Sequence, residues 1–376
     1  AIWQRSTITR TPCHGDGTTR TGTVIKDRTV ARRQASPPLQ EFALIRMLER
    51  RFARRTPGLV QGIGDDAAVI ATSSPTWWHL TTDLLAEGIH FDMKSATPES
   101  VGYRAAMANL SDIAAMGAVP RYLLISLAIP KTWTQPHIHE LYTGLMKACR
   151  LYNVTLVGGD TSASKAGLFL SITLVGATSR RLALFRHGAK VGDHIYVSGT
   201  LGDSLAGLTL LMENTSSGPS RKKKSEFSSA HRAFLLRRHF RPTARVAEGL
   251  WLNERQLASA AIDLSDGLSG DLRHLCEASR VGAEVELDKI PISPACRAYA
   301  QAIGVSPIQL ALTGGEDYEL LFTTSPRDCK KVERQARTRG YRITPIGTIR
   351  PQRFGIQMKT DGRTQPLPVT SYEHFQ

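Results

Sequence analysis

At 376 residues, with 41% hydrophobic and 22% charged side chains, the chain has the composition of a soluble globular protein of two domains. Its best apolar run, 122–130, is far short of the ~18 residues of a membrane-spanning helix, which excludes that class. The net charge of +15 admits nucleic acid as a partner, but the excess is concentrated in the first 39 residues (seven Lys/Arg against two Asp) and in Arg221-Lys222-Lys223-Lys224. Nucleic-acid binding is therefore read as an accessory role at most.

Residues 1–39 are rich in Thr and Arg, lack apolar periodicity and end in Ser36-Pro37-Pro38, which reads as a disordered basic extension. The Arg-rich, acid-poor composition is also that of a transit peptide, although Gly and Pro interrupt any amphipathic helix. An upstream translation artefact is the other reading. From Glu41, Phe42, Leu44, Ile45, Leu48 and Phe52 fall at helical spacing. Strands are expected at 68–71 and 78–82. A helix is expected from Thr97-Pro98, a cap followed by proline at the first helical position, to Gly117. On that helix Asn109 and Asp112 share a face. A strand at 123–129, a helix at 136–151 and strands at 154–157 and 169–175 complete an N-terminal α/β domain, 40–180. A C-terminal α/β domain, 181–376, is expected to hold strands at 193–197, 260–262, 285–287, 318–322 and 343–349. Its expected helices are 201–212, 267–279 and 327–339, with a basic surface loop at 214–226. The fold class is α/β with mixed sheets. Five scattered cysteines without a Cys-x-x-Cys pair fit reduced thiols in a cytoplasmic protein, with neither a disulfide frame nor a zinc site.

Against the basic background, six segments set acidic residues beside Gly, Ser or Thr: Gly64-Asp65-Asp66, Thr81-Thr82-Asp83, Ser111-Asp112, Gly158-Gly159-Asp160, Asp263-Leu264-Ser265-Asp266 and Gly314-Gly315-Glu316-Asp317. Any one alone is more often a cap or an Asx-turn than a ligand. Together they point to a site. Carboxylates about 4 Å apart repel by roughly 4 kcal/mol at an effective dielectric near 20, so convergence requires cations. An all-oxygen ligand set favours Mg²⁺ with phosphate substrates. Gly62-Ile63-Gly64-Asp65-Asp66-Ala67 formally matches the dinucleotide fingerprint, but a strand follows the glycines where a helix is needed, and two aspartates would face a pyrophosphate. Neither a Walker-type phosphate loop nor the protein-kinase elements occur. His90 and Arg186 alone read as ordinary surface or structural residues. His137 and His139, two apart, do not share a helical face, and Ser265 lacks a triad histidine.

In order, 40–376 resembles thiamine-monophosphate kinase, of the superfamily of aminoimidazole ribonucleotide synthetase and selenophosphate synthetase. The resemblance rests on Glu41 to Ile45, Gly62 to Ala67, Thr82-Asp83 with Gly88 and His90-Phe91, and Asn109 to Gly117. It continues through Gly158 to Thr161, Arg186 to Gly192, Ile262 to Leu268, Gly314 to Leu320 and Tyr372 to Phe375. It implies ATP-dependent phosphorylation of thiamine monophosphate with several Mg²⁺ ions, in a homodimer. By motif it implies Asp66, Thr82, Asp83, Asp112, Asp160, Asp263 and Asp266 as Mg²⁺ ligands, with Thr81 a weaker addition and Asp65 weaker still. Gly159, Asp160, Arg186 and Ser265 are implied on ATP, and His90, Glu316 and Tyr372 on the acceptor. Asp112, Asp160, Asp263 and Arg186 are the expected catalytic set. The alternatives are another ATP-dependent synthetase of the superfamily, or a non-catalytic sensor of thiamine phosphates or nucleotides. A selenophosphate synthetase would carry a reactive Cys or Sec with a Lys near its N-terminus, and Cys13-His14-Gly15 has no such neighbour. A sensor would have lost several acidic ligands.

Overall fold

The structure, a computed structural model, describes residues 40–54, 56–179, 182–215 and 227–368. The extension 1–39, most of the basic loop and Tyr372 lie outside the described residues. The described residues, all within 40–368, belong to one compact unit that contains two sheets. The first has six strands: β1 (Leu59–Gln61), β2 (Ala68–Ala71), β3 (Trp77–Ala86), β4 (Val119–Pro130), β5 (Thr155–Ser164) and β6 (Phe169–Thr178), in the order β1-β2-β3-β6-β4-β5. Only β4 and β5 pair in parallel, and the connection between them carries α3 (Gln135–Leu151). The second sheet has seven strands: β7 (His194–Ser198), β8 (Ala260–Leu264), β9 (Val281–Glu286), β10 (Glu319–Thr324), β11 (Ile343–Pro351), β12 (Ile356–Thr360) and β13 (Arg363–Pro366). Their order is β13-β12-β9-β11-β7-β10-β8.

The helix α2 (Pro98–Ala115) organises both halves. The Thr97 hydroxyl accepts from Ser100 N at 3.2 Å and Ser100 Oγ accepts from Thr97 N at 3.0 Å, a reciprocal cap that starts the helix after the expected Thr-Pro pair. Nearly every residue of α2 is buried, as expected of a helix packed on all sides. Its small residues make that possible: a Cβ on Gly102 would meet Leu141 O at 2.0 Å, and one on Gly144 would meet Glu99 O at 1.8 Å. Thus α2 and α3 touch backbone to backbone. The apolar cluster around α2 includes Leu123, Ile125 and Ile172 of the first sheet and Tyr196, Leu320 and Phe322 of the second, so one core joins the sheets. A second cluster lies wholly in the C-terminal half. The four described cysteines are buried and unpaired.

Several expectations shift. Thr81-Thr82-Asp83 and Gly158-Gly159-Asp160, expected at turns or strand ends, lie inside strands β3 and β5, whereas Ser111-Asp112 lies within α2 as expected. Between the expected helix α4 (Asp203–Thr215) and β8, the structure adds α5 (Ser229–Phe240) and α6 (Val246–Glu254). The helix after Gly267 is α7 (Leu268–Ser279), and α8 (Pro294–Ile303) and α9 (Pro307–Thr313) follow β9.

Candidate active site

Four elements converge where the first sheet meets α2 and β8. Asp66 comes from the β1–β2 loop, Thr81 and Asp83 from β3, Asp112 from the last turn of α2, and Asp263 from β8. One carboxylate oxygen from each of Asp66, Asp112 and Asp263 lies within 4.8 Å of the others. The period-2 alternation of β3 aims Thr81 and Asp83 at the same face, and the Thr81 hydroxyl donates to Asp112 Oδ2. Ser111 Oγ donates to Asp263 Oδ2 at 2.7 Å. A single guanidinium answers this charge. Arg186 donates from Nε and Nη2 to Asp66 Oδ1 at 3.1 and 2.5 Å, and its backbone N–H donates to both Asp65 oxygens at 3.2–3.3 Å.

Burial pushes these carboxyls up: Asp83 to about 6, Asp65 (also by Asp66) to about 7, and Asp263 (also by Asp66) to about 8. Asp112 is raised by burial and then by Asp83, Asp263 and Asp66. The Asp66 Oδ2 atom is buried without a partner among the described residues. An orphaned buried carboxylate oxygen within an all-oxygen, net-negative cluster fits a divalent cation. The sign of the pH dependence follows. With carboxyls raised from 3.8, the native state holds protons that the unfolded chain has released, so this contribution to stability is complete below about pH 4 and is lost as pH rises through about 6–8. The metal-free protein should therefore lose Tm between about pH 6 and 8.5, and added Mg²⁺ should raise Tm more at the higher pH, where ligands are deprotonated. Thermal melts in chelator and in Mg²⁺ check this; a larger Mg²⁺ effect at the lower pH would contradict it.

A second group lies beside the first. Strands β8 and β10 pair antiparallel, and the ladder continues outward as Tyr318 N–H donates to Leu264 O (2.9 Å) and Glu316 N–H to Ser265 O (2.8 Å). The two acidic turns of the C-terminal half are therefore zipped together. Glu316 takes a left-handed backbone (φ 62°) and ion-pairs with Arg104 of α2. Asp317 turns the other way and accepts from Gly202 N and Ser204 N, at the start of α4. Burial alone would raise the Glu316 carboxyl, but Arg104, His239 and His90 outweigh it and hold it below its ordinary range. The structure thus brings His90 and Glu316 together. The ring of His90 accepts Ala86 N–H at 3.0 Å, which fixes the loop after β3.

The AIR synthase related protein family matches this chain twice, its N-terminal domain at residues 64–178 and its C-terminal domain at 190–359. The chain is 36% identical to a thiamine-monophosphate kinase of Buchnera aphidicola over 336 residues, covering 89% of this chain and 98% of that one. It is 40% identical to one of Aquifex aeolicus over 285 residues, 76% and 86% of the two chains. The chain belongs to the thiamine-monophosphate kinase family. A solved structure described as AaThiL complexed with AMPPCP and TMP superposes with a TM-score of 0.74 at 35% identity, covering 89% of this chain and 97% of that one.

Not every residue expected for a thiamine-monophosphate kinase site lies in the cluster. Thr82 points through the sheet, away from Asp112, and its hydroxyl donates to Ile172 O at 3.0 Å. Asp160, on edge strand β5, is in register with Ser126 and is exposed on that same outer face. Gly159 has a packing reason of its own, since a Cβ there would meet Ile125 O at 1.9 Å. Ser265 and Asp266 are half-buried beside the cluster, and Asp266 N–H donates to Asp271 Oδ2 at 3.2 Å. Arg104, His239, Asp271 and Tyr318 border the site and were not anticipated. For Arg104 a signal existed: it is a cation within an otherwise small and apolar helix.

Proposed function

We propose that the protein transfers the γ-phosphoryl group of ATP to thiamine monophosphate, giving thiamine diphosphate and ADP. The observation that carries this reading is the carboxylate cluster Asp66–Asp112–Asp263 beside a distinct His90–Glu316 group. It occurs in a chain that resembles named thiamine-monophosphate kinases over nearly their whole length. All six acidic segments on which the family resemblance rests are present in the sequence, which argues against a sensor. In this reading 40–180 is the ATP and Mg²⁺ half: Asp66, Thr81, Asp83, Asp112, Asp263 and Asp266 hold Mg²⁺ ions at the cluster, and Thr82 and Asp160, on the outer face of the first sheet, hold a further one outside it. Bound Mg²⁺ would supply the positive charge that lets two anionic phosphates approach. Asp112, Asp160, Asp263 and Arg186 form the catalytic set. Arg186 keeps Asp66 in place and, with its side chain 22% exposed, offers a fixed cation to the donor phosphates, and Gly159 and Ser265 are the further ATP contacts of this reading. His90, Glu316 and Tyr372 orient the acceptor. An acceptor phosphate is already anionic near neutral pH, so no strong general base is required.

The outer face of the first sheet supports a homodimer. Ile70 (39%), Leu84 (59%), Tyr122 (43%) and Leu124 (39%) are exposed there, and Trp78 stacks on Tyr122 with ring centroids 6.5 Å apart. Thr82 and Asp160 stand on the same face, so a second copy would enclose them. Sedimentation should give a mass near twice that of one chain; a monomer would remove this part of the reading.

With ATP and Mg²⁺ the purified protein should convert thiamine monophosphate to thiamine diphosphate and ADP and leave thiamine unchanged. An acceptor without the phosphate leaves the nucleophile position empty. Preferential phosphorylation of thiamine, or ADP release that needs neither compound, would sink the assignment.

A further inference from the structure

We propose that Arg104 is a positioning residue for the acceptor. From inside α2 it sets the separation between the carboxylate cluster and the His90–Glu316 group, an inference that rests on the functional reading above. Arg104 is 3% exposed, and its guanidinium spans two elements. Its Nη2 both pairs with Glu316 and lies 3.4 Å from His90 O, so one side chain ties the loop after β3 to the turn before β10. Seven residues further along α2, Ser111 Oγ bonds Asp263. Residues seven apart lie on one helical face, about 10 Å apart along the axis. The two acidic turns of the C-terminal half are thus fastened to one rigid helix at two points, Glu316 through Arg104 and Asp263 through Ser111. Phosphoryl transfer depends on that spacing, because the acceptor must reach in line from the group that grips it to the site of transfer.

One feature indicates that the arrangement serves positioning rather than stability. Glu316 is held in a left-handed conformation that a non-glycine residue adopts only when its surroundings enforce it. The enforcing contacts are Ser265 O on its N–H, Arg104 on its carboxylate, and His239, whose Nδ1 lies 3.8 Å from Glu316 Oε2 and 3.1 Å from Ser204 Oγ. Because Arg104 acts through Glu316 and the His90 loop, its loss should weaken the acceptor side and spare the nucleotide side.

The test uses the full chain with Mg²⁺ and compares wild type, Arg104→Met, Arg104→Lys, Glu316→Gln, the double variant Arg104→Met/Glu316→Gln, and exposed Arg327→Ala as the control for lost charge. Arg104→Met should raise KM for thiamine monophosphate by at least about 10-fold while KM for ATP moves by less than about 2-fold. Arg104→Lys keeps the charge but ends in a shorter side chain without the planar guanidinium, so it should recover only part of that loss. The double variant should be no worse than Arg104→Met alone, since both act through one carboxylate. Calorimetric binding of thiamine monophosphate without ATP should weaken in parallel. If Arg104→Met does not fold, Arg104→Lys and Glu316→Gln decide the matter by the same KM split. An unchanged KM for thiamine monophosphate, or an equal rise for both substrates, overturns the positioning role. A wild-type protein that does not turn over thiamine monophosphate fails the underlying reading before any variant is compared.

Discussion

Asp112→Asn should cost at least about 10²-fold in turnover, or ~2.7 kcal/mol of transition-state stabilisation, while making the metal-free protein more stable. The two effects have one cause. Asp112 lies within 4.8 Å of Asp66 and Asp263, and its carboxyl is raised by burial and then by Asp83, Asp263 and Asp66. Asparagine keeps the shape and can still accept from Thr81, but it removes one charge from a repelling set. Each carboxylate pair at that distance repels by about 3 kcal/mol at an effective dielectric near 20. Part of this is relieved by protonation, so a gain of about 1 kcal/mol, or about 1–2 °C in Tm, is the expected residue. Melts in chelator and steady-state rates at saturating Mg²⁺ check both signs. Near-native turnover, or a fall in Tm without metal, would show that Asp112 is not part of a cation site.

Arg186→Met should move stability the other way. Among the described residues, Arg186 is the cation that ion-pairs with Asp66, whose side chain is fully buried and whose second oxygen has no partner there. Removing one partner of a buried pair costs about 3 kcal/mol, because an uncompensated charge is left behind. For a chain of this size that is roughly 4 °C in Tm. The backbone N–H of Arg186 still reaches Asp65, so the loop itself keeps one tie. Mg²⁺ should recover part of the lost stability, since a bound cation answers the same carboxylates. A melting temperature that is unchanged in chelator would show that Asp66 is neutral in the native protein and does not depend on Arg186.

Local chemistry was legible without coordinates. The cap Thr97-Pro98 started α2 where expected, and the small residues after it gave the close helix packing at Gly102 and Gly144. The acidic segments were found by composition alone, because carboxylates beside Gly, Ser and Thr are conspicuous in a chain of charge +15. Helices α5 and α6 were missed. Their work is to bring Arg238 and Arg245 onto the buried carboxylate of Glu319, at 2.9 and 2.5–2.6 Å, and no local pattern reports an ion pair formed some 75 residues away.

The sequence by itself determined the acidic residue types that gather at the site, the α/β alternation of most elements and the family to which the chain belongs. Only the tertiary structure decided which carboxylates meet. Side-chain direction within a strand is set by a period of two, so Thr81 and Asp83 face Asp112 while Thr82, between them, faces away through the sheet. The antiparallel register of β8 with β10 sets Glu316 beside Ser265, and a left-handed backbone then sends Glu316 to Arg104 and Asp317 to α4. Pairing across a sheet and the facing of one helix are long-range contacts. Their free energy depends on burial and register contributed by distant segments, and no window of sequence contains it.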